Sequence, residues 1–187
     1  MTVIRVSTFL ATGAVILGIL VLAGVLLWLA ARISPGAARL WGGLVDSAGE
    51  QAPFLAWLVA LTATLGSLYY SEVAHFVPCT FCWYQRIAMY PLAVILGIAA
   101  FRRDREAWRF TVPLAAVGAG LAAYHYLIQQ FPNLSGGACS EGVPCSAAYV
   151  WRFGFVSIPL MALVSFAAIL LLTAISVAHA RRASVSP

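Results

Sequence analysis

The long apolar stretches of this sequence constrain its fold more than any other feature. Residues 6–31 contain no charged side chain, and four further apolar segments span residues 51–71, 81–101, 110–130 and 153–180. A helix needs about 20 apolar residues to cross the hydrocarbon core of a bilayer, which is about 30 Å thick. Because 63% of the residues are hydrophobic and only 9% are charged, a water-exposed globular fold is excluded. The sequence predicts an integral membrane protein with five transmembrane helices.

The arginines predict how these helices are oriented. Residues 101–109, FRRDREAWR, carry four arginines, and Arg181 and Arg182 follow the last apolar segment. Because positive charge is retained on the cytoplasmic side, both segments and residues 32–50 are expected to be cytoplasmic. The loops at residues 72–82 and 131–152 then face outward. The net charge of +5 comes from such inter-helix segments, so it does not indicate nucleic-acid binding.

The two outward-facing loops hold all four cysteines of the chain: Cys79, Cys82, Cys139 and Cys145. An even number of cysteines on the oxidising side of a membrane favours disulfides. The first pair forms a C-x-x-C motif, which is short enough for one sulfur to displace the other reversibly. The second pair lies in GGACSEGVPCSAA, where glycine, serine and proline predict a mobile, exposed loop. This second pair is either a site of attack by a partner's thiolate or a static staple.

Arg86 is the only Asp, Glu, Lys or Arg between Glu72 and Arg102. It follows Cys82 by four residues, so both side chains share one helix face, with the arginine about 6 Å deeper. Unpaired N–H groups at the start of this helix predict a lowered pKa for Cys82. A charge near the hydrocarbon costs at least about 2.5 kcal/mol, which favours a function over an arginine that merely reaches the headgroups.

A lipid-soluble two-electron acceptor beside Cys82 would be a quinone. Its reduction develops negative charge on a ring oxygen, which the guanidinium of Arg86 would stabilise. Gln85 could donate or accept a hydrogen bond beside it. His125, near the outer end of the fourth span, is a candidate to bind the same oxygen or to relay a proton. Pairing of this histidine with a neighbouring helix is the alternative.

The segment PCTFCWYQRIAMYPL, residues 78–92, resembles the signature of the DsbB family of membrane disulfide-forming oxidoreductases. The segment CSEGVPC, followed by WRFGFVSIPLMAL at 151–163, is similar to the Gram-positive branch of that family, often called BdbC. The resemblance covers residues 52–178. It implies an all-α integral membrane four-helix bundle over residues 51–180. Residues 1–50 would add one N-terminal transmembrane helix and a cytoplasmic linker, and residues 181–187 a cytoplasmic tail.

The resemblance also implies an activity at the outer face of a bacterial cell membrane. Family members re-oxidise an extracytoplasmic thioredoxin-fold dithiol oxidase, of the DsbA or BdbD type, and pass electrons to ubiquinone or menaquinone. By position, Cys82 would be the thiolate next to the quinone and Cys79 would exchange with the second pair. Cys139 would be attacked by the partner, and Cys145 would be released toward Cys79. The first transmembrane helix is additional to the four that the family has.

Three other interpretations remain open at this point. A vitamin K epoxide reductase-like enzyme would reduce a quinone or its epoxide at the expense of thiols. A structural or transport protein could hold zinc with all four cysteines, although an oxidising compartment disfavours thiolate ligands. A membrane scaffold with two structural disulfides would leave Arg86 without a role. We favour the thiol:quinone oxidoreductase and expect no metal site.

Overall fold

The computed structural model describes residues 2–104, 106–135, 139 and 143–184. Arg105, residues 136–138 and 140–142 of the second cysteine loop, and residues 185–187 of the predicted tail lie outside this part. Six α-helices account for most of what is described: α1 Thr2–Ala30, α2 Pro35–Ala48, α3 Ala52–Leu68, α4 Thr80–Arg102, α5 Trp108–Gln130 and α6 Ile158–Ala183.

Five of these helices, all except α2, are long and apolar enough to cross a membrane, as the sequence predicted. α3 continues into a π-helical turn, Tyr69–Val73, which brings this span to the level of the first cysteine loop. The fifth span begins later than expected, at Ile158 instead of residue 153. Residues 152–156 instead reverse the chain direction, with positive φ angles at Phe153 and Gly154, and α6 starts after Ser157.

Helices α3, α4, α5 and α6 form the expected four-helix bundle, with each helix packed against the next and α6 against α3. Small residues allow this packing to be close. A Cβ atom at Gly118 of α5 would overlap the ring of Phe166 of α6, so only glycine fits there. The bundle core consists of ten buried side chains: Ala56, Ala60, Ala88, Met89, Leu92, Leu96, Ala115, Ala122, Phe166 and Ile169.

α1 packs outside the bundle against α6, and the two helices run parallel. Gly18 lies opposite Val164, and Gly24 lies opposite Leu171 one to two turns further along. The segment predicted as a linker contains α2, an amphipathic helix that contacts both α1 and α6. The sequence-based expectation missed α2 because, at 14 residues, it has no apolar run comparable to the spans.

The two ends of the bundle are chemically distinct. At one end, Cys79 and Cys145 belong to the same buried cluster, so the two cysteine loops meet. At the other end, Nη1 of Arg182 lies 3.2 Å from Oδ1 of Asp46 and 3.1 Å from the carbonyl oxygen of Gly42. The C-terminal arginines and residues 32–50 therefore share an end, as expected. Which end faces the cytoplasm stays a prediction from the positive charge.

Candidate active site

Cys79 caps the N-terminus of α4. Its backbone is extended, at φ −73° and ψ 171°, and its sulfur accepts a hydrogen bond from the backbone N–H of Cys82 at 3.3 Å. An N-cap side chain satisfies one of the N–H groups that a helix leaves unpaired at its start. The two sulfurs of the C-x-x-C motif are unbonded and 2.7 Å apart. The thiols are thus positioned to share a proton or to form a disulfide.

The negative charge of this pair is favoured on Cys79. A hydrogen bond from the Cys82 thiol, aided by one from His125, lowers the pKa of Cys79 from 9.0 to about 4, although burial opposes the shift. The expectation that the helix N-terminus would act on Cys82 is not met. The sequence suggested that α4 begins near Cys82, whereas the cap lies one turn earlier, so the N–H of Cys82 donates to the sulfur of Cys79.

His125 connects the two cysteine pairs. Its Nε2 lies 3.1 Å from the carbonyl oxygen of Cys145 and 3.6 Å from the sulfur of Cys79. Because a carbonyl oxygen only accepts, Nε2 carries the hydrogen, and in the neutral ring Nδ1 accepts from the side-chain amide of Gln85 at 2.9 Å. His125 is 2% exposed. This ring therefore orients Gln85 while it contacts both a thiol and the second loop.

Arg86 is held in place by α3. Its Nε donates to the hydroxyl of Ser67 at 3.0 Å, and its Nη2 donates to the backbone carbonyl of Ser67 at 3.1 Å. Tyr90 donates to the same hydroxyl at 3.3 Å, and the guanidinium lies 5.1 Å from the ring of Trp83. Two hydrogen bonds to one residue fix the direction of a guanidinium. No sequence signal identified Ser67 as this partner.

A cavity of about 530 Å³ adjoins these residues, a size typical of small-molecule sites. Cys82, Gln85 and Arg86 line it from one side. A shared helix face was expected for Cys82 and Arg86 alone. Apolar side chains of α1, α3 and α6 form most of the remaining wall. His125 does not line the cavity; it lies behind Gln85, so its expected contact with an acceptor would act through that amide. The cavity therefore combines a polar end with an apolar body.

The second pair forms a disulfide between Cys139 and Cys145. Cys145 is 1% exposed and packs in the cluster that contains Cys79, whereas Cys139 is only half-buried. Cys139 is thus the more accessible residue of the disulfide, and Cys145 is the one buried in a cluster with Cys79. This arrangement agrees with the division of roles that was expected, and the roles themselves stay predictions.

The disulfide also bears on metal binding. It removes two of the four thiolates that the zinc interpretation required, so a four-cysteine site is not formed. The sulfurs of Cys79 and Cys82 and a ring nitrogen of His125 lie within 4.8 Å of one another, close enough to share an ion. However, Nε2 carries the hydrogen that it donates to the Cys145 carbonyl, so a metal bond would break that contact. The donor set fits thiol chemistry better than a metal.

Known proteins resemble this chain over the bundle and both cysteine loops. The family model described as "Disulfide bond formation protein DsbB" matches residues 49–176. "Disulfide bond formation protein C" of Bacillus subtilis is 50% identical over 119 residues, which are 63% of this chain and 86% of that protein. "Probable disulfide formation protein" of Oceanobacillus iheyensis is 47% identical over 128 residues, 66% of this chain and 86% of that protein. No solved structure gives a significant match.

These names all refer to disulfide formation, which is an oxidoreductase role, and the five apolar helices make the protein a multi-pass membrane protein. The match to the family model includes the C-x-x-C pair, Arg86 and the second cysteine loop. The match covers more than half of the chain and confirms the resemblance that the motifs indicated. The chain belongs to the DsbB family of disulfide bond formation proteins.

Proposed function

We propose that this protein is a membrane thiol:quinone oxidoreductase that re-oxidises an extracytoplasmic thioredoxin-fold dithiol oxidase of the DsbA or BdbD type. One observation carries the proposal. Cys79 of the C-x-x-C pair lies in one buried cluster with Cys145 of the disulfide, while Cys82 of the same pair lines a cavity with Gln85 and Arg86. The pair thus lies between a disulfide and a site for a lipid-soluble molecule.

The first step is an exchange with the partner at the second pair. A partner thiolate attacks the half-buried sulfur of Cys139, forms a mixed disulfide and releases Cys145 as a thiolate. The second partner thiol then attacks the mixed disulfide, so the partner leaves oxidised and Cys139 and Cys145 are left as a dithiol. The exposure of Cys139 and the burial of Cys145 support this order.

The second step moves two electrons to the first pair. Cys145 attacks Cys79 in a Cys79–Cys82 disulfide, and Cys139 then displaces Cys79 to restore the Cys139–Cys145 disulfide. The product, two thiols at Cys79 and Cys82 with a closed second pair, corresponds to the arrangement in the structure. Stabilisation of the Cys79 thiolate favours the dithiol form of its pair, so this transfer is energetically assisted.

The cavity fits a quinone in its chemistry. Arg86 and Gln85 form the polar end needed for ring oxygens, and the apolar wall suits an isoprenoid tail. Ubiquinone or menaquinone, when bound, would accept two electrons and two protons from the Cys79–Cys82 dithiol and leave as the quinol. Arg86, aimed by Ser67, stabilises negative charge at this end, and His125 orients the Gln85 amide.

Two further features belong to the proposal. The cysteine loops face the outside of a bacterial cell membrane, because the arginine-rich end would be retained in the cytoplasm. Thiols reduce a quinone species both in this function and in the vitamin K epoxide reductase-like alternative, so the two differ in the product that matters: the oxidised partner protein here, and the reduced quinone or epoxide in the alternative. In that case the protein would act on the quinone species and would not supply oxidising equivalents to a thioredoxin-fold oxidase.

Turnover with single-cysteine variants tests the proposal. The protein in lipid nanodiscs is supplied with a reduced thioredoxin-fold oxidase and quinone, and oxidation of the partner is followed with and without quinone. Wild type should oxidise the partner only when quinone is present, and Cys82→Ser should lose this activity. Full turnover by Cys82→Ser, or turnover independent of quinone, would refute the proposal. Reduction of quinone epoxide without partner oxidation would favour the alternative.

A further inference from the structure

One face of α1 lines the same cavity as Cys82 and Arg86. Leu10, Gly13, Leu17 and Leu20 border it, and their spacing of three or four residues places them on one side of the helix, with Phe9 beside Leu10. From the first to the last of these residues the helix rises about 16 Å. This face is thus a continuous wall of the cavity, about half as long as the hydrocarbon core is thick.

The wall has a defined orientation relative to the polar end. Leu10 contacts Gly66, which directly precedes Ser67, the residue that holds Arg86. Gly13, Leu17 and Leu20 lie successively further from that level, toward the opposite end of the molecule. A ring bound at Arg86 would therefore lie near Leu10. A tail attached to it would run along α1, between α1, α3 and α6.

α1 lies outside residues 49–176, the part that matches the family. The wall is thus an addition to the shared bundle. We propose that α1 is part of the acceptor site: it holds the apolar tail of the lipid-soluble acceptor in the cavity and determines which tails fit. This inference rests on the proposed function, because it assigns the tail of the same acceptor whose ring would bind near Arg86.

Gly13 provides the space that this role requires. A Cβ atom at Gly13 would have no neighbour within 4 Å, so the residue borders open cavity and not a packed interface. A leucine there would fit without a clash and would project into the path of the tail. Gly120 is a matched control: it is also exposed within a transmembrane helix and has no atom within 4 Å of its Cβ position, but it does not line the cavity.

Photolabelling tests the inference without relying on turnover. A quinone with a photoreactive group on its isoprenoid tail is bound to the full-length protein in nanodiscs, irradiated and digested with trypsin. Because Arg5 and Arg32 flank α1, cleavage at both releases residues 6–32 as one fragment. We expect label in this fragment. Label confined to fragments of α3, α4 or α6 would overturn the inference and leave the proposed function intact.

Binding of quinone by Gly13→Leu gives the second readout, measured as quenching of tryptophan fluorescence. We expect the dissociation constant of a prenylated quinone to rise about tenfold, since an added side chain displaces part of the tail, and that of a tail-less quinone to change little. Gly120→Leu should bind both as wild type does. Equal weakening of both quinones, or no weakening, would overturn the inference. If the wild type neither binds nor is labelled, the proposed function fails as well.

Discussion

Replacing Cys82 with alanine should raise the pKa of Cys79, because the Cys82 thiol is the largest influence that holds this pKa low. In the intact pair the pKa of Cys79 is lowered from 9.0 to about 4, with hydrogen bonding from His125 as a further cause. Cys82→Ser keeps a hydroxyl that can donate to the sulfur. The pKa of Cys79 is therefore expected to rise more in Cys82→Ala than in Cys82→Ser.

The size of the effect follows from the fraction of thiolate. At pH 5 a thiol with a pKa of 9 is ionised in about one molecule in ten thousand, whereas with a pKa of about 4 it is almost fully ionised. The less basic thiolate is intrinsically about two hundredfold less nucleophilic, because reactivity falls with basicity. Cys79 should thus react about fiftyfold faster at pH 5 than an ordinary thiol of equal exposure. Its rate should be constant above pH 5 and should fall as the pH drops through about 4.

The assay is alkylation of Cys79 by iodoacetamide from pH 3 to pH 9, with the modified sulfur located by tandem mass spectrometry. A Cys139→Ser/Cys145→Ser background leaves two thiols and retains the backbone carbonyl that His125 contacts. Because Cys79 is only 6% exposed, all rates will be slow, but the midpoint of the pH profile is unaffected. A midpoint near 9, or the same midpoint in Cys82→Ala as in the intact pair, would refute this account of the thiolate.

Three further substitutions test other parts of the structure. Arg86→Ala should lower kcat/KM for quinone about a hundredfold and leave the single-turnover exchange with the partner unchanged. Arg86→Lys should lose less of the quinone reaction because it keeps the charge. Equal losses in the quinone reaction and in the partner exchange would contradict this role. Ser67→Ala removes the hydroxyl, one of the two acceptors that orient the guanidinium of Arg86, so the KM for quinone is expected to rise about three- to tenfold. An unchanged KM would show that Ser67 does not position Arg86 for quinone. Gly118→Ala should lower the free energy of unfolding by about 1–3 kcal/mol in a detergent melt, because the added Cβ would overlap Phe166. A melting temperature equal to that of wild type would contradict this close packing of α5 against α6.

Much of the fold could be predicted because a membrane imposes simple rules on a sequence. Helices that cross the bilayer need long apolar runs, so the five spans could be predicted directly from the sequence. α2 was missed because a short amphipathic helix at the edge of the bundle lacks such a run. The start of α6 was placed five residues too early, since Phe153 and Phe155 continue the apolar pattern into a turn that positive φ angles define.

The candidate site was predictable where it depends on one helix. Cys82, Gln85 and Arg86 lie within five consecutive residues, and helix geometry alone places Cys82 and Arg86 on the same face. Contacts between helices were not predictable. The hydrogen bonds from Arg86 to Ser67 depend on how separate helices pack, and so does the position of α1 along the cavity. The lowered pKa of Cys79 was not predictable either, because it depends chiefly on the hydrogen bond from the Cys82 thiol and on His125, which belongs to another helix.

If electrons leave the protein from the Cys79–Cys82 pair to a quinone, as we propose, a single-turnover reaction will show it without any partner protein. The protein with reduced Cys79 and Cys82, in a Cys139→Ser/Cys145→Ser background, is mixed anaerobically with excess quinone. Free thiols and quinol are then counted. We expect a loss of two thiols and the appearance of one quinol per protein molecule, and neither change in Cys82→Ser. Thiols that stay reduced in the presence of quinone would contradict it.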